Sequence, residues 1–282
     1  MAPRQQPTIR QRRFGAELRR LRMAAKMSAP AVADLLGTDR TVISNVEAGR
    51  FGISEERLRR LTSIYRCGDS GLVDALAAMT GGRNKGWWGE YRGKVPPDFL
   101  DISELEASAA RLRTMQTAHL PGLFQTEDHA RALFNLTDPP LSRLDVELRV
   151  AHRLARQDVV AKDAVPYVGL IHEAALRMLV GGRDVAKRQI DHLLEASEWE
   201  NVTLLVIPFS VGEFPMMGES VLYAEGRSRA LDTVHMDSPA GAFFVDSPES
   251  LTVFRRKLDV IERMALPAAG SRDLIRSIGR EM

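Results

Sequence analysis

Apolar positions in the first quarter of the chain recur at the three-and-four spacing of short helices. Phe14, Leu18, Leu21 and Ala25 form one stripe, which leaves Arg19, Arg20 and Arg22 on flanking faces. Ser28 then starts a second helix, its hydroxyl accepting from a free first-turn amide, and Pro30 is tolerated there because those amides lack intrahelical partners. Val32, Leu35 and Leu36 are expected to face inward, and Gly37 stops the helix. Thr38 or Asp39 caps a third helix whose buried stripe is Val42, Ile43 and Val46, ending at Ala48-Gly49. Ser54 caps a fourth with Glu55 and Glu56 at its positive end and Leu58, Leu61 and Ile64 inward. Leu72, Val73, Leu76, Ala77 and Met79 supply a fifth.

The pattern changes after residue 80. Glycines and prolines surround Trp87, Trp88 and Tyr91, as expected of a boundary loop anchored by its aromatics. Beyond it, Leu105, Ala109, Leu112 and Met115 predict a helix over 102–115. Thr126 caps another, and a further one runs over 142–158. Residues 164–171 and 202–209 read as strands with helical patterns at 173–179 and 184–198 between them. Three short strands at 220–224, 231–235 and 242–245 form a meander, and helices at 249–264 and 271–278 follow. The expectation is an α+β chain: a five-helix domain over 1–80, a linker over 81–97, and a larger helical and antiparallel-sheet domain over 98–282.

Charge separates the same two parts. Residues 1–66 carry 14 Lys and Arg against 6 Asp and Glu, whereas residues 67–282 carry 25 against 31, so the net charge of +2 hides a basic head on an acidic body. A basic head of short helices points to a polyanion. The single cysteine, Cys67, excludes an intramolecular disulfide and a multi-cysteine zinc site, in keeping with a reducing compartment. No apolar run approaches the roughly 18 residues of a membrane span, and 1–11 lack the apolar core of a secretory signal, so a cytoplasmic, nucleoid-associated protein is expected.

Two short helices joined by a tight turn, the second with a polar side, have the dimensions of a major-groove reader. The run "SAPAVADLLGTDRTVISNVEAGR" resembles the Cro/repressor (XRE) family of helix-turn-helix domains, with helix lengths, the turn glycine, Ile43-Ser44 and Glu47-x-Gly49 in register. That resemblance implies that Arg40, Thr41 and Asn45 reach base edges. The chemistry agrees, since a guanidinium donates twice to guanine O6 and N7 and an Asn amide matches adenine N6 and N7. It further implies phosphate contacts from Lys26, Ser28, Ser44 and Arg50, and a structural ion pair between Arg22 and Glu47. Ala29 stands where the family often has a phosphate-holding Gln. Arg57, Arg59 and Arg60 read as a solvated face.

The body holds "LPGLFQTEDHARAL", "RLARQ" and "VGLIHEAALR" with spaced Pro208, Gly212, Pro215 and Gly218, and is similar to the C-terminal domain of WhiJ-like, antitoxin-like actinobacterial regulators. This resemblance implies a small protein partner and no catalytic residues. Enzyme motifs fail on their chemistry: His172-Glu173 has Leu176 where a zinc pair needs its second His. Ser220 lacks the second glycine of a nucleophile elbow. "GDSG" at 68–71 falls between two helices of the head, and neither Gly81-Gly82 nor Gly181-Gly182 leads into a phosphate loop. His119, His129 and His172 are too scattered to hold a metal, and Glu173, at a helix start, reads as a dipole-stabilised cap or, alternatively, as a pocket residue for a cation or amine. No cofactor or metal is expected. Together these readings describe a DNA-binding transcriptional regulator rather than an enzyme, a homodimer on double-stranded DNA with a pseudo-palindromic operator. Its body senses a protein partner or ligand. The alternatives are an antitoxin-like protein that sequesters a small partner, and a small-molecule-sensing or enzymatic body.

Overall fold

The computed structural model describes residues 7–80, 86–238 and 241–282. The chain divides into two compact units, Met1–Gly89 with Gly226–Asp232, and Glu90–Glu225 with Thr233–Met282. Residues 81–85 of the expected linker lie outside the described residues. No described helix is long and apolar enough to cross a membrane.

The first unit is helical: α1 (Ile9–Ala24), α2 (Ala29–Leu36), α3 (Arg40–Glu47), α4 (Glu55–Ile64) and α5 (Ser70–Ala77). Polar caps set its boundaries. Thr8 and Gln11 form a reciprocal capping box at the start of α1, and Ser28, Ser54 and Asp69 accept from first-turn amides of α2, α4 and α5. Phe14, Leu18, Val46, Leu58, Leu72 and Leu76 make one core cluster, to which Ala230 and Leu231 are added. Val32, Ala33, Ile43, Leu61 and Tyr65 make another. Leu35 is a correction: the buried stripe of α2 runs through Val32, Ala33 and Leu36, and the helical period turns Leu35 outward, 53% exposed.

The second unit is mixed, and the chain as a whole is α+β. Its elements are α6 (Pro97–Ser108), β1 (Arg111–Gln116), α7 (Glu127–Phe134), α8 (Arg143–Arg156), α9 (Asp158–Ala161), β2 (Tyr167–His172), α10 (Glu173–Arg177), α11 (Arg183–Ala196), β3 (Val202–Ile207), β4 (Val221–Glu225), β5 (Thr233–Ser238), β6 (Gly241–Val245), α12 (Pro248–Met264) and α13 (Ala268–Glu281). One six-stranded sheet has the order β3-β2-β1-β4-β5-β6. The meander β4-β5-β6 is antiparallel as expected, but β1-β2 and β2-β3 pair in parallel, so the sheet is not antiparallel throughout.

The helix expected over 102–115 is also corrected, since α6 ends at Ser108 and 111–116 form the central strand β1. Its alternation sends Arg113 and Met115 to one face and Leu112 and Thr114 to the other. On the first face, Arg113 donates to Asp259 and Glu262 of α12 at 2.8 and 2.7 Å, while Met115 packs with Val168, Ile207, Tyr223 and Leu258. On the second, Leu112 joins Phe124, Tyr167, Ile171, Ile190, Val206 and Ile275. Helical spacing and a fully covered strand look alike over so short an apolar run.

Candidate nucleic-acid interface

The polar side of α3 is set by its opposite side. Ile43 and Val46 are 3% and 2% exposed, which leaves Arg40, Thr41 and Ser44 in the open and Asn45 at the margin, half-buried. The turn before it is tight because Gly37 adopts φ +60°, a left-handed conformation in which a side chain is strained. The Gly37 and Thr38 amides then close the end of α2 on the Asp34 and Ala33 carbonyls at 3.2 and 3.0 Å. Asp39 occupies the N-cap position of α3 in extended backbone without a side-chain cap bond.

Two glycines fix the depth of α3 against α1. A methyl group on Gly15 would lie 2.4 Å from the Glu47 carbonyl oxygen and 2.6 Å from that of Val46. One on Gly49, at φ +70°, would lie 2.7 Å from the Gln11 carbonyl carbon. Backbone thus rests on backbone at both ends of the contact. The sequence carried a signal for this: a glycine inside an otherwise helical, apolar-periodic run marks a close approach.

An ion pair ties the end of α3 to α1. Arg22 Nε and Nη2 donate to Glu47 Oε1 and Oε2 at 2.6 and 2.9 Å, and Arg22 Nη1 donates to the Met27 carbonyl at 2.8 Å. The side chains are 13% and 8% exposed. The Glu47 hydrogen bond holds the Arg22 guanidinium above its ordinary pKa, and burial, followed by the Glu47 charge, pushes the Tyr65 phenol up to about 12. A bidentate, largely desolvated pair fixes orientation more than it adds stability.

The cations at the surface differ in commitment. Arg59 is held by Glu55 and Asp74, Arg20 by Glu17, and Arg60 Nη2 donates to the Leu35 carbonyl at 3.2 Å. The side chains of Lys26, exposed at φ +55° just past α1, and Arg40, exposed in the first turn of α3, form no hydrogen bond or ion pair within the described residues. The Arg50 side chain is exposed and, among the described residues, makes only a 3.5 Å bond from Nη1 to Asn45 Oδ1. The Ser28 hydroxyl accepts from the Ala31 amide at 3.3 Å and keeps its own proton to donate. α3 therefore carries Arg40, Thr41, Ser44 and Asn45 on one side, with Arg50 reaching Asn45. Lys26 and Ser28 stand apart, between α1 and α2. Sequence reasoning missed the buried Arg13 and Glu17, an i,i+4 pair on α1 at 3.4 Å; Arg13 also donates to the Ala230 carbonyl.

In the second unit Glu173 and His172 have structural partners. Glu173 Oε1 accepts from Arg177 and Oε2 from the Phe209 amide, at 2.8 and 2.9 Å. It stands in the first turn of α10, where the helix dipole favours its charge, while the side-chain cap is His172, whose Nδ1 accepts from the Ala174 amide. Among the described residues no three His, Cys, Asp or Glu side chains group as a metal site would.

Two known families match the chain. Residues 13–76 match a helix-turn-helix domain, and residues 99–277 match the family described as a domain of unknown function (DUF5753). No curated protein and no solved structure matches the chain.

Proposed function

The chain belongs to the DUF5753 family and carries a helix-turn-helix domain ahead of that region; from this premise we propose that it is a sequence-specific transcriptional regulator that acts by binding rather than by turnover. The helix-turn-helix domain makes it a DNA-binding regulator. The finer reading is that α3 enters the major groove with Arg40, Thr41 and Asn45 at base edges while Lys26, Ser28, Ser44 and Arg50 hold phosphates. The observation that carries it is the open polar side of α3, with Arg40 left uncommitted although every neighbouring contact locks the helix in place. A single module of this size buries little surface, so useful specificity calls for a homodimer on a pseudo-palindrome with half-sites about one helical turn apart. The protein then works in the cytoplasm, on the nucleoid.

The second unit is the sensing part, for a ligand or a small protein as in the WhiJ-like, antitoxin-like reading. A protein partner is favoured by large apolar side chains in the open, with Met178, Leu179, Phe209 and Met217 between 45% and 57% exposed. Selection of bound duplexes from a random pool tests the DNA reading, and recovery of a paired motif supports it. Mass analysis of what copurifies from the native cell tests the partner: a stoichiometric small protein supports sequestration, and its absence removes it.

A further inference from the structure

Helix α8 places Arg149, Arg153 and Arg156 on one side at i, i+4 and i+7. Among the described residues only Arg156 of the three meets a carboxylate, its Nε and Nη2 donating to Glu106 Oε2 and Oε1 at 2.9 and 2.6 Å. Arg149 lies over the Phe99 ring at 5.5 Å and Arg153 over the Phe134 ring at 4.4 Å, and the two rings are themselves 6.2 Å apart. Neither guanidinium forms an ion pair among the described residues, and Asp237 and Glu106 act on Arg153 only at longer range. Glu106 is taken by Arg156, and Asp237 bonds His235 beyond ion-pair distance of Arg153.

The edge of Arg153 left open is chemically specific. Its Nη1 donates to Gln125 Oε1, and Gln125 is itself fixed by the Leu120 carbonyl and by Gln157. Its Nε is buried without a partner, Nη2 makes no hydrogen bond among the described residues, and the residue as a whole is half-buried rather than sealed. The Nε–Nη2 edge is the one that Arg22 and Arg156 both use to grip a carboxylate in this protein. A half-buried cation whose forked edge holds nothing is costly to keep. Burial, with Arg156 next, pulls the Arg153 guanidinium down to about 9.

We propose that Arg149 and Arg153, seated on the Phe99–Phe134 pair, form a binding site for a small molecule carrying a phosphate or carboxylate group. The oxyanion takes the Nε–Nη2 edge of Arg153 bidentately, and Arg149 adds charge one turn away. The aromatic floor holds both guanidinium planes and lowers the ordering cost of binding. This deepens the sensing role proposed above and rests on it only for the effect on DNA.

The test is calorimetric titration of the full chain with sodium phosphate and, separately, sodium citrate, at ionic strength held constant with sodium chloride. The site predicts saturable binding of at least one: phosphate alone marks a phosphorylated ligand, citrate alone a carboxylate one. R153Q weakens that binding at least about tenfold, the loss of a charge-assisted bidentate contact. R153K retains the charge but not the fork and weakens it similarly, R149Q weakens it less, and R143Q on the same helix leaves it unchanged. The proposal is overturned if neither anion binds saturably to the folded wild-type chain, or if R153Q and R153K bind as the parent does. A second readout, affinity for a selected duplex with and without the bound anion, separates the two ideas. Anion binding with unchanged DNA affinity upholds the site and removes its sensing role, while absent anion binding removes the site and leaves other ligands to the sensor.

Discussion

Replacing Gly15 with Ala gives the sharpest test of how α3 is held, because two effects of opposite sign compete. Inside an exposed helix this change adds about 1 kcal/mol of stability. Here the new methyl group would sit 2.4 Å from the Glu47 carbonyl oxygen, where ordinary contact begins near 3.4 Å, and every close neighbour is backbone. α1 and α3 must therefore part by about 1 Å at this point. Overpacking of this kind costs about 1–3 kcal/mol, and the separation also stretches the Arg22–Glu47 fork, now 2.6 and 2.9 Å long. Breaking a buried pair outright costs about 3–5 kcal/mol, and partial loss adds to the clash. The net expectation is destabilisation of the first unit by about 2–4 kcal/mol despite the better helix former. Native-state hydrogen exchange of α1 and α3 amides in the full chain reads this locally. Protection equal to or above that of the parent would refute the close-approach argument.

Further outcomes follow from the same geometry. Arg40→Ala is expected to cost about 1–3 kcal/mol on the best duplex and to relax one base position; equal weakening on all sequences would contradict a base contact. Lys26→Ala should weaken binding to every duplex and reduce the slope of log affinity against log salt by about one, and an unchanged slope would take Lys26 out of the phosphate set. Glu47→Ala strands a largely buried guanidinium and should lower the stability of the first unit by about 2–4 kcal/mol, so a melting temperature matching the parent's would argue against the fork. His129, 3% exposed, is drawn down to about 4 by burial first and the Arg153 charge second. The unfolded state therefore binds the proton more readily: stability is full above about pH 6.5 and falls as pH drops toward 4, by up to about 3 kcal/mol from this group. Urea unfolding at pH 7.5 and 4.5 should show the loss and His129→Gln should lessen it; an identical loss in both proteins would assign it to other groups.

Much of the helical unit was legible because its signals are local. Ser28, Gly37 and Ser54 act within one turn of their own position, and the period through Phe14 and Leu18 needs no distant partner. What escaped depends on contacts far along the chain. β1 reads as helix because Leu105, Ala109, Leu112 and Met115 happen to sit at helical spacing. The register that makes it a central strand comes from Tyr167–Ile171 on one side and Val221–Glu225 on the other. Arg113 looks like a surface residue until α12 brings Asp259 and Glu262 to it. Leu35 failed for a local reason: Val32, Leu35 and Leu36 share the i, i+3, i+4 spacing, but burial of Ala33 turns the stripe toward Val32, Ala33 and Leu36 and leaves Leu35 outside it. At the interface, Arg40, Thr41 and Asn45 were visible as polar residues opposite Ile43 and Val46. The depth of α3 was only hinted at, by Gly15 inside the apolar period of α1, because the carbonyls that Gly15 and Gly49 meet belong to another helix.

The central claim, that the open side of α3 reads the major groove, is tested most directly by methylation interference on a selected duplex. A methyl group on guanine N7 blocks the groove edge that a guanidinium grips. The account predicts one guanine in each half-site whose methylation abolishes binding of the wild-type chain and is ignored by Arg40→Ala. An interference pattern unchanged by that substitution, or no retention of any duplex at low salt, would contradict it.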